Sequence, residues 1–205
     1  MIKILELFAG SQSFSKQAKL KNYDTFTSDW KEFNGIDYAV DILKFDINKL
    51  PWKPDVIWAS PPCTTFSIAS CGTHWTPEKE PKTDACKEGI KIVKKTVEII
   101  KELNPKYFII ENPRGLLRKL NLIDIGKLNT IWYCQYGDER AKPTDLWTNI
   151  KSWTPKPVCW NGNKDCHHAP APRGSRTGTQ GRSNPYERSK VPNELCIEIL
   201  NEVSK

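Results

Sequence analysis

A cysteine that directly follows two prolines is the residue of this chain best suited to act as a nucleophile. The stretch Asp55–Ser67, DVIWASPPCTTFS, predicts a short buried strand that stops at Pro61 and Pro62 and delivers Cys63 just beyond its end. Each proline fixes its own φ at about −65° and keeps the residue before it extended, so this loop is stiff. The alternative, a small buried apolar cysteine, is the commoner fate of this residue type. The double proline and the groups described next favour a nucleophile.

A carboxyl group is predicted at the end of another strand. Lys106–Ile110 has strand composition and runs into Glu111-Asn112-Pro113. In open α/β sheets the carboxyl ends of parallel strands form the ligand-binding edge, so we expect Glu111 and Cys63 to lie near one another. A carboxyl group beside a thiol can hydrogen-bond or protonate the substrate that the thiol attacks.

The first sixty residues have the pattern of a nucleotide-type cofactor site. A strand at Ile2–Phe8 runs into the small-residue turn AGSQS and then into a predicted helix at Phe14–Leu20, which is how doubly wound α/β domains begin. A second strand, Tyr23–Ser28, ends at Asp29-Trp30. An acid about twenty residues after such a turn commonly binds ribose hydroxyls, and a tryptophan can stack on adenine. Asp29 as a simple cap of the next turn is the alternative.

The remaining elements follow from apolar spacing and from glycine and proline positions. Residues at three- and four-residue spacing predict a helix at Asp84–Leu103. The polar stretch Ser70–Thr83 follows the cysteine loop and is interpreted as a lid. Further elements are predicted as follows: strands at Tyr38–Val40, Thr130–Tyr136 and Asp145–Ile150, and a final helix at Pro192–Val203.

Length and composition indicate one sizeable domain with at most a small appendage. The chain has 205 residues, 38% of them hydrophobic, and seven scattered cysteines that do not suggest a secreted disulfide framework. No apolar run reaches the roughly 18 residues of a membrane span, and the first residues lack a basic leader with a cleavage site. These features predict a cytoplasmic protein.

Positive charge is concentrated late in the chain. The net charge is +7, and between Lys151 and Lys190 eight Lys or Arg face two acids. This segment also loses regular patterning and is rich in Gly, Pro and Ser, so it cannot form a core of its own. A basic, coreless segment favours a polyanionic partner.

Taken together and in this order, the segments LELFAG, SDW, VDI, SPPCTTFS, ENP and RSKVPNEL resemble the DNA cytosine 5-methyltransferases. The resemblance extends along nearly the whole chain. It implies an α/β, Rossmann-like S-adenosylmethionine-dependent methyltransferase fold, with a mostly parallel seven-stranded sheet, one antiparallel late strand and a small irregular basic appendage. It also implies methyl transfer from S-adenosyl-L-methionine to carbon 5 of a cytosine flipped out of double-stranded DNA.

The resemblance assigns roles to individual residues. Cys63 would add to carbon 6 of cytosine, Glu111 would contact ring nitrogen 3, and Asn112 would orient the catalytic loop. Arg140 and Lys142 would supply positive charge in place of the family's Gln-x-Arg-x-Arg. Cofactor contacts are predicted for Phe8, Ala9, Gly10, Ser11, Ser13, Asp29, Trp30, Asp41, Ile42 and Pro61, and substrate contacts for Pro62, Ser67, Thr144, Arg173, Arg176, Arg182 and Arg188.

Two further departures from the family pattern bear on the cofactor turn and on DNA recognition. Gln12 or Ser13 stands where a second glycine is usual, and only about forty residues occupy the place of a full recognition domain. We therefore expect a catalytic and cofactor-binding domain at 1–150, a short basic DNA-contacting segment at 151–190 and a returning helix at 191–205. Such a chain predicts a monomer with short or relaxed sequence preference, of the phage or restriction-modification type, acting in a bacterial or phage-infected cell.

Three other interpretations remain open. The same chemistry on RNA, such as tRNA, is compatible with a missing recognition domain, and a non-catalytic DNA-binding accessory subunit would keep the fold. A Rossmann oxidoreductase is disfavoured because no G-x-G-x-x-G motif is present. Zinc ligation is a separate question from these three; C-x6-C-H-H matches no common finger spacing, so we predict no metal site. The residues concerned are Cys159, Cys166, His167 and His168.

Overall fold

A seven-stranded sheet forms the centre of the computed structural model, which describes residues 1–171 and 184–205. Its order is β3-β2-β1-β4-β5-β7-β6; β1 to β5 pair in parallel, and β7 is antiparallel to both of its neighbours. This confirms the predicted mostly parallel α/β sheet with one antiparallel late strand. The strands are β1 (Lys3–Leu7), β2 (Asp24–Asp29), β3 (Tyr38–Ala39), β4 (Val56–Ala59), β5 (Tyr107–Pro113), β6 (Lys127–Trp132) and β7 (Pro143–Thr148).

Helices cover both faces of the sheet. The helices in the described residues are α1 (Ser13–Leu20), α2 (Cys71–His74), α3 (Asp84–Leu103), α4 (Pro185–Ser189) and α5 (Asn193–Val203). Side chains of α1 and α5 pack with Ile4 and Trp58 on one face, and those of α3 pack with Leu5 and Ile57 on the other. Neighbouring strand residues point to opposite faces, so Ile4 and Leu5 of β1 and the residues of β4 place buried apolar side chains on both faces, as parallel strands covered on both sides require.

Helix α3 begins and ends where its apolar spacing predicts. The Thr83 hydroxyl accepts the Cys86 N–H at its first turn, and Asp84 places negative charge there. Asn104 ends the helix in the left-handed region with φ 43°. The interior stripe that includes Val97 and Ile100 is buried against the sheet.

The late strands differ from the prediction. The chain leaves β6 after Trp132 and forms a 3₁₀ turn at Tyr133–Tyr136, which the predicted strand Thr130–Tyr136 had included. Gly137 closes that turn with φ 83°, a conformation glycine adopts without strain. Aromatic residues favour strands, and this turn contains two buried tyrosines. Its composition therefore predicted a strand where the structure has a turn.

The first part of the basic segment, residues 151–171, is irregular as expected, whereas Pro185–Ser189 forms a short helix that the sequence analysis did not predict. Residues 151–171 contain no helix or strand, and the described chain resumes with the five-residue α4. None of the helices within residues 1–171 and 184–205 is long and apolar enough to cross a membrane.

Candidate active site

The carboxyl ends of the five parallel strands place the predicted site residues along one edge of the sheet. In spatial order these are Asp41 after β3, Asp29 at the end of β2, Gly10 after β1, Cys63 after β4 and Glu111 in β5. The predicted cofactor residues therefore occupy one half of the edge, and the thiol and carboxyl occupy the other. The boundary lies between β1 and β4, where the strand order reverses, which is the usual ligand-binding position of such sheets.

The turn after β1 has the shape of a ligand-binding loop. Phe8 and Gln12 both have left-handed backbones, with φ 61° and 52°. The Gln12 amide turns away from the loop and donates to the Asn34 carbonyl at 2.7 Å. Gln12 thus adopts the conformation that a second glycine would supply. The departure from the family pattern leaves the turn itself in place.

Gly10 lets the backbone lie against Asp29. A Cβ at Gly10 would stand 3.1 Å from the Phe33 ring and 3.4 Å from the Asp29 Oδ2. Asp29 is buried, and its Oδ1 accepts the Lys31 N–H at 3.1 Å. Burial raises the pKa of Asp29, and hydrogen bonds from nearby backbone N–H groups partly offset the rise.

The two other predicted adenosine contacts lie at the same end of the sheet. Trp30 is 68% exposed, with the Lys31 ammonium 4.7 Å from its ring centre, so one aromatic face is open to a ligand. Asp41 accepts the Leu43 N–H at 3.0 Å and caps a short turn that buries Ile42. Capping and cofactor contact are compatible roles for that carboxylate.

The segment RSKVPNEL near the end of the chain contacts the turn that follows β1. The Val191 N–H donates to the Ser13 hydroxyl at 3.1 Å, and Ser13 also hydrogen-bonds the Ser11 hydroxyl at 2.9 Å. A buried carboxylate that the sequence analysis missed, Glu6, accepts the Ser15 N–H at 2.7 Å at the start of α1. Burial raises the pKa of Glu6. An acid inside a strand carries no local signal for this capping role.

The cysteine loop is held from several directions. The Cys63 carbonyl accepts the N–H groups of Phe66 and Ser67, both at 3.0 Å. The Asn112 amide donates to the Pro61 carbonyl at 2.8 Å, so β5 fixes the proline turn. Within the described residues the Asn112 Oδ1 is buried without a hydrogen-bond partner.

Residues after the cysteine are pinned as well. A Cβ at Gly115 would stand 2.3 Å from the Phe66 carbonyl oxygen, so only glycine fits this approach of the two loops. The Ser67 hydroxyl pairs with that of Ser70 at 2.8 Å. In the predicted lid, the buried Trp75 donates to the Thr65 carbonyl at 2.8 Å, which anchors one point of the lid beside the cysteine loop.

Glu111 is fixed by a residue that the sequence analysis did not single out. The Tyr133 hydroxyl donates to the Glu111 Oε1 at 2.9 Å, and both side chains are buried. The Lys142 ammonium lies 4.3 Å from the centre of the Tyr133 ring and donates to the Arg188 carbonyl at 3.1 Å. Burial together with the Glu111 charge raises the pKa of Tyr133 well above its usual range, so it remains a donor.

The thiol of Cys63 lies between opposing charges. Burial raises its pKa, and the Glu111 carboxylate raises it further, while Lys142 and Arg188 lower it. Burial lowers the pKa of Lys142, and Glu111 opposes that shift. Because the pKa of Cys63 is raised, this half-buried thiol is protonated at neutral pH until something favours the thiolate.

Arg140 is held by an acid of its own loop. It is 6% exposed, and its Nε and Nη2 contact the two carboxylate oxygens of Asp138 at 2.8 and 2.5 Å. Its Nη1 is buried and has no hydrogen-bond partner among residues 1–171 and 184–205. The ion pair with Asp138 thus orients the Arg140 guanidinium and leaves its Nη1 amino group able to donate to a ligand.

The remaining residues predicted to contact the substrate differ in how exposed they are. Pro62 and Arg188 are exposed, whereas Thr144 is buried and donates to the Lys142 carbonyl at 3.2 Å. Of the zinc candidates, His167 stands apart, with its Nε2 3.1 Å from the Asp138 carbonyl oxygen. Arg173, Arg176 and Arg182 lie outside the described residues.

Comparison with known proteins identifies the family. The sequence model of the C-5 cytosine-specific DNA methylases matches residues 2–131. A Frog virus 3 protein named as a DNA (cytosine-5)-methyltransferase is 31% identical over 228 residues, covering 98% of this chain and 99% of the viral one. The chain belongs to the C-5 cytosine-specific DNA methylase family. Membership makes it an S-adenosylmethionine-dependent DNA (cytosine-5)-methyltransferase.

Solved structures support the methylase fold. A protein described as a DNA modification methyltransferase, encoded in an E. coli prophage, superposes with a TM-score of 0.54 at 14% identity over 78% of this chain. The Entamoeba histolytica methyltransferase EhMeth superposes with a TM-score of 0.55 at 14% identity over 72%. The chain spans about half the length of these two proteins, 53% and 52%.

The residues present fit the cofactor that the DNA methylase family uses. The glycine at position 10 leaves room at the turn, and a buried carboxylate at Asp29 lies beside it. A carboxylate at this position suits ribose hydroxyls, and the exposed Trp30 face suits adenine.

Proposed function

We propose that the protein methylates carbon 5 of a flipped cytosine in double-stranded DNA through a covalent bond between Cys63 and carbon 6. One observation carries this proposal: a thiol on a proline-stiffened loop stands beside Glu111, and Tyr133 fixes that carboxyl. Nucleophile, acid and orienting group are the parts that covalent catalysis requires.

Methyl transfer to carbon 5 requires that the cytosine ring first be activated. Carbon 5 of cytosine is a poor nucleophile, and addition of the Cys63 thiolate to carbon 6 converts the ring to an enamine. Glu111 donates a hydrogen bond or proton to ring nitrogen 3, which takes up the charge that the addition creates. Carbon 5 then gains the methyl group and loses its proton to a base, and the bond from sulfur to carbon 6 breaks. Bound S-adenosylmethionine supplies the methyl group.

The same residues explain how the thiolate arises. The Glu111 carboxylate raises the pKa of Cys63, so a proton on Glu111 removes that unfavourable interaction. Lys142 and Arg188 then stabilise the thiolate. The reactive state therefore has a proton on Glu111 and none on Cys63. A cytosine ring nitrogen that accepts a hydrogen bond from Glu111 stabilises this state.

Cytosine must leave the duplex to reach Cys63. Carbon 6 is hidden in the base stack, and extrusion of the base costs of the order of a few kcal/mol. Exposed Pro62 and Arg188 border the thiol side of the edge, and within the described part of the chain the Arg140 Nη1 has no hydrogen-bond acceptor. We assign these groups, with Ser67 and Thr144, to the DNA side of the site.

The segment 151–190 supports a short or relaxed sequence preference. Its eight Lys or Arg can contact phosphates, whereas about forty residues offer little surface for reading base edges. We propose that the protein acts as a monomer, with 1–150 as the catalytic domain and 191–205 as its returning helix. The phage and restriction-modification setting remains a prediction.

A mechanism-based trap tests the proposal. The protein is incubated with S-adenosylmethionine and duplex DNA that contains 5-fluorocytosine, because fluorine blocks the final proton removal and leaves the adduct in place. Intact mass should show a covalent complex that Cys63→Ala abolishes and that the control Cys71→Ala retains. An adduct with fluorinated tRNA but not DNA would favour the RNA alternative. Cofactor binding without any adduct would favour the accessory-subunit alternative.

A further inference from the structure

Four metal-binding side chains converge outside the active site. The cysteine–histidine cluster comprises Cys134, Cys159, Cys166 and His168, whose ligand atoms all lie within 4.8 Å of one another. Cys134 belongs to the turn after β6, and the other three belong to the irregular segment that follows Lys151. Three of the four are buried, and Cys166 is half-buried. The sequence analysis had grouped His167 with them and had not included Cys134.

We propose that this cluster binds a structural zinc ion. Three cysteines and one histidine are an established ligand set for tetrahedral, closed zinc sites. The Cys159 Sγ lies 3.8 Å from the His168 Nδ1, close to the separation of about 3.6 Å that tetrahedral bonds of about 2.3 and 2.1 Å produce. The largest separation, 4.8 Å, needs only a contraction of about 1 Å around an ion.

Side-chain amides already point at the sulfurs. The Asn163 Nδ2 donates to the Cys159 Sγ at 3.6 Å. The Gln135 Nε2 stands 3.8 Å from the Cys166 Sγ and 4.0 Å from the Cys134 Sγ. Three thiolates around one Zn²⁺ leave an excess negative charge, and N–H donors of this kind stabilise it.

The His168 Nδ1 is the nitrogen placed to bind the metal. The His168 Nδ1 faces the Cys159 sulfur, so it is the ligand atom, and a neutral ring then carries its proton on Nε2. The Gly162 N–H now stands 3.3 Å from that Nε2, and this long contact would be given up on coordination. His167 faces away, toward the Asp138 carbonyl, and serves as a natural control.

Trp153 anchors the start of the segment, where it is buried and donates to the Glu198 Oε1 at 2.7 Å, but within residues 158–171 the buried side chains are those of Cys159 and His168. Its apolar cluster within the described residues consists of Cys134, Ala141 and Cys159, with Trp132 and Cys166 packed against them, so three of its five members are proposed ligands. Val158 and Trp160 point to solvent, 67% and 60% exposed. A coreless segment of this size is commonly held by a metal or a disulfide, and binding of the metal then contributes directly to its folding.

The ion would fasten the segment to the loop that carries Arg140 and Lys142. The Ala169 N–H donates to the Glu139 carbonyl at 2.9 Å, one residue from His168. The Cys134 ligand lies at the other end of the same loop, directly after Tyr133. Zinc would thus close the loop 134–142 against residues 159–169.

The first test uses the unaltered full-length protein, prepared with a thiol reductant. Inductively coupled plasma mass spectrometry should find about one zinc per chain, and Co²⁺ substitution should give the intense visible bands of tetrahedral thiolate coordination. Chain without zinc whose Co²⁺ spectrum lacks thiolate bands would overturn the proposal. In a parallel preparation without reductant, a metal-free chain with a mass about 2 Da low and two of the cluster cysteines joined would overturn it in favour of a disulfide.

Adjacent histidines provide the matched pair. His168→Ala should lower the zinc affinity by at least about tenfold in competition with a chromogenic chelator, and His167→Ala should not. Equal affinities in the two variants would contradict the ligand assignment. Cys63→Ala should keep its zinc, so a failed zinc test and a failed covalent trap are separate outcomes.

Discussion

Two cysteine sites in this chain show how surroundings decide the chemistry of one side chain. Cys63 stands alone at the end of β4, with a carboxylate, a buried lysine and an arginine acting on its charge. In the cysteine–histidine cluster, each sulfur instead faces other sulfurs, an imidazole and amide N–H donors. A single accessible thiol beside an acid suits a nucleophile, whereas converging sulfurs suit a metal. The difference lies entirely in the neighbours.

The sharpest separation of the two sites comes from removing the nucleophile. Cys63→Ala should lower methyl transfer to duplex DNA more than about 10³-fold, because no other group can form the bond to carbon 6. Transfer of a tritiated methyl group measures this loss, and zinc content should stay unchanged. Residual activity above one tenth of normal would contradict a covalent role for Cys63.

Glu111→Gln should change two rates in opposite directions. Methyl transfer should fall by about 10²–10³-fold, since the amide cannot donate a proton to ring nitrogen 3. Alkylation of Cys63 by iodoacetamide at pH 7.5 should become faster, because the carboxylate that raises the pKa of Cys63 is gone. Peptide mass spectrometry follows Cys63 separately from the other cysteines. Slower alkylation in this variant would show that the two groups do not interact as described.

Removal of the metal should loosen only the cluster side of the molecule. After treatment with a chelator, hydrogen exchange in residues 159–169 should accelerate by about tenfold or more, which corresponds to about 1.4 kcal/mol of local stability. Peptides of α3 should exchange as before, since that helix packs with Phe108 and Ile57 in an apolar cluster separate from the one that contains the cysteines. Unchanged exchange at 159–169 would indicate that no ion holds the segment.

Lys142→Met should have the smallest effect on the thiol. Lys142 lowers the pKa of Cys63, so its loss should slow alkylation several-fold at every pH at which the thiol is still mostly protonated. In both proteins the rate should keep rising with pH beyond the range in which an ordinary cysteine levels off, because burial raises the pKa of Cys63. A pH profile of alkylation from 7 to 10 measures both effects. Identical profiles would place Lys142 too far from the thiol to act on it.

Local patterns were sufficient for most of the fold. Helix α3 follows from its apolar stripe, and β4 follows from a short apolar run that two prolines end. The position of Asp29, Cys63 and Glu111 at one edge of the sheet follows from where the strands stop, since parallel strands place their carboxyl ends together. Their order along that edge depends on the strand order, which the structure supplies.

What the sequence did not reveal depends on contacts between distant residues. Tyr133 and Cys134 were assigned to a strand, and in the structure they begin a 3₁₀ turn that points one toward Glu111 and the other toward the cluster. Cys134 is 25 residues before Cys159, so no spacing rule joined them. Asp138 likewise carries no mark of its pairing with Arg140 except proximity.

The hydrogen bond between Ser13 and Val191 has a consequence for how the chain is made. Helices α1 and α5 share one apolar face of the sheet, yet these two residues are 178 positions apart. At a synthesis rate of about 5–20 residues per second, α5 follows α1 by roughly 10–35 s. Until α5 is made, Ile4, Phe14 and Trp58 lack the α5 side chains that share their apolar cluster in the finished molecule. The nascent chain therefore exposes part of this apolar face to solvent until α5 has been made.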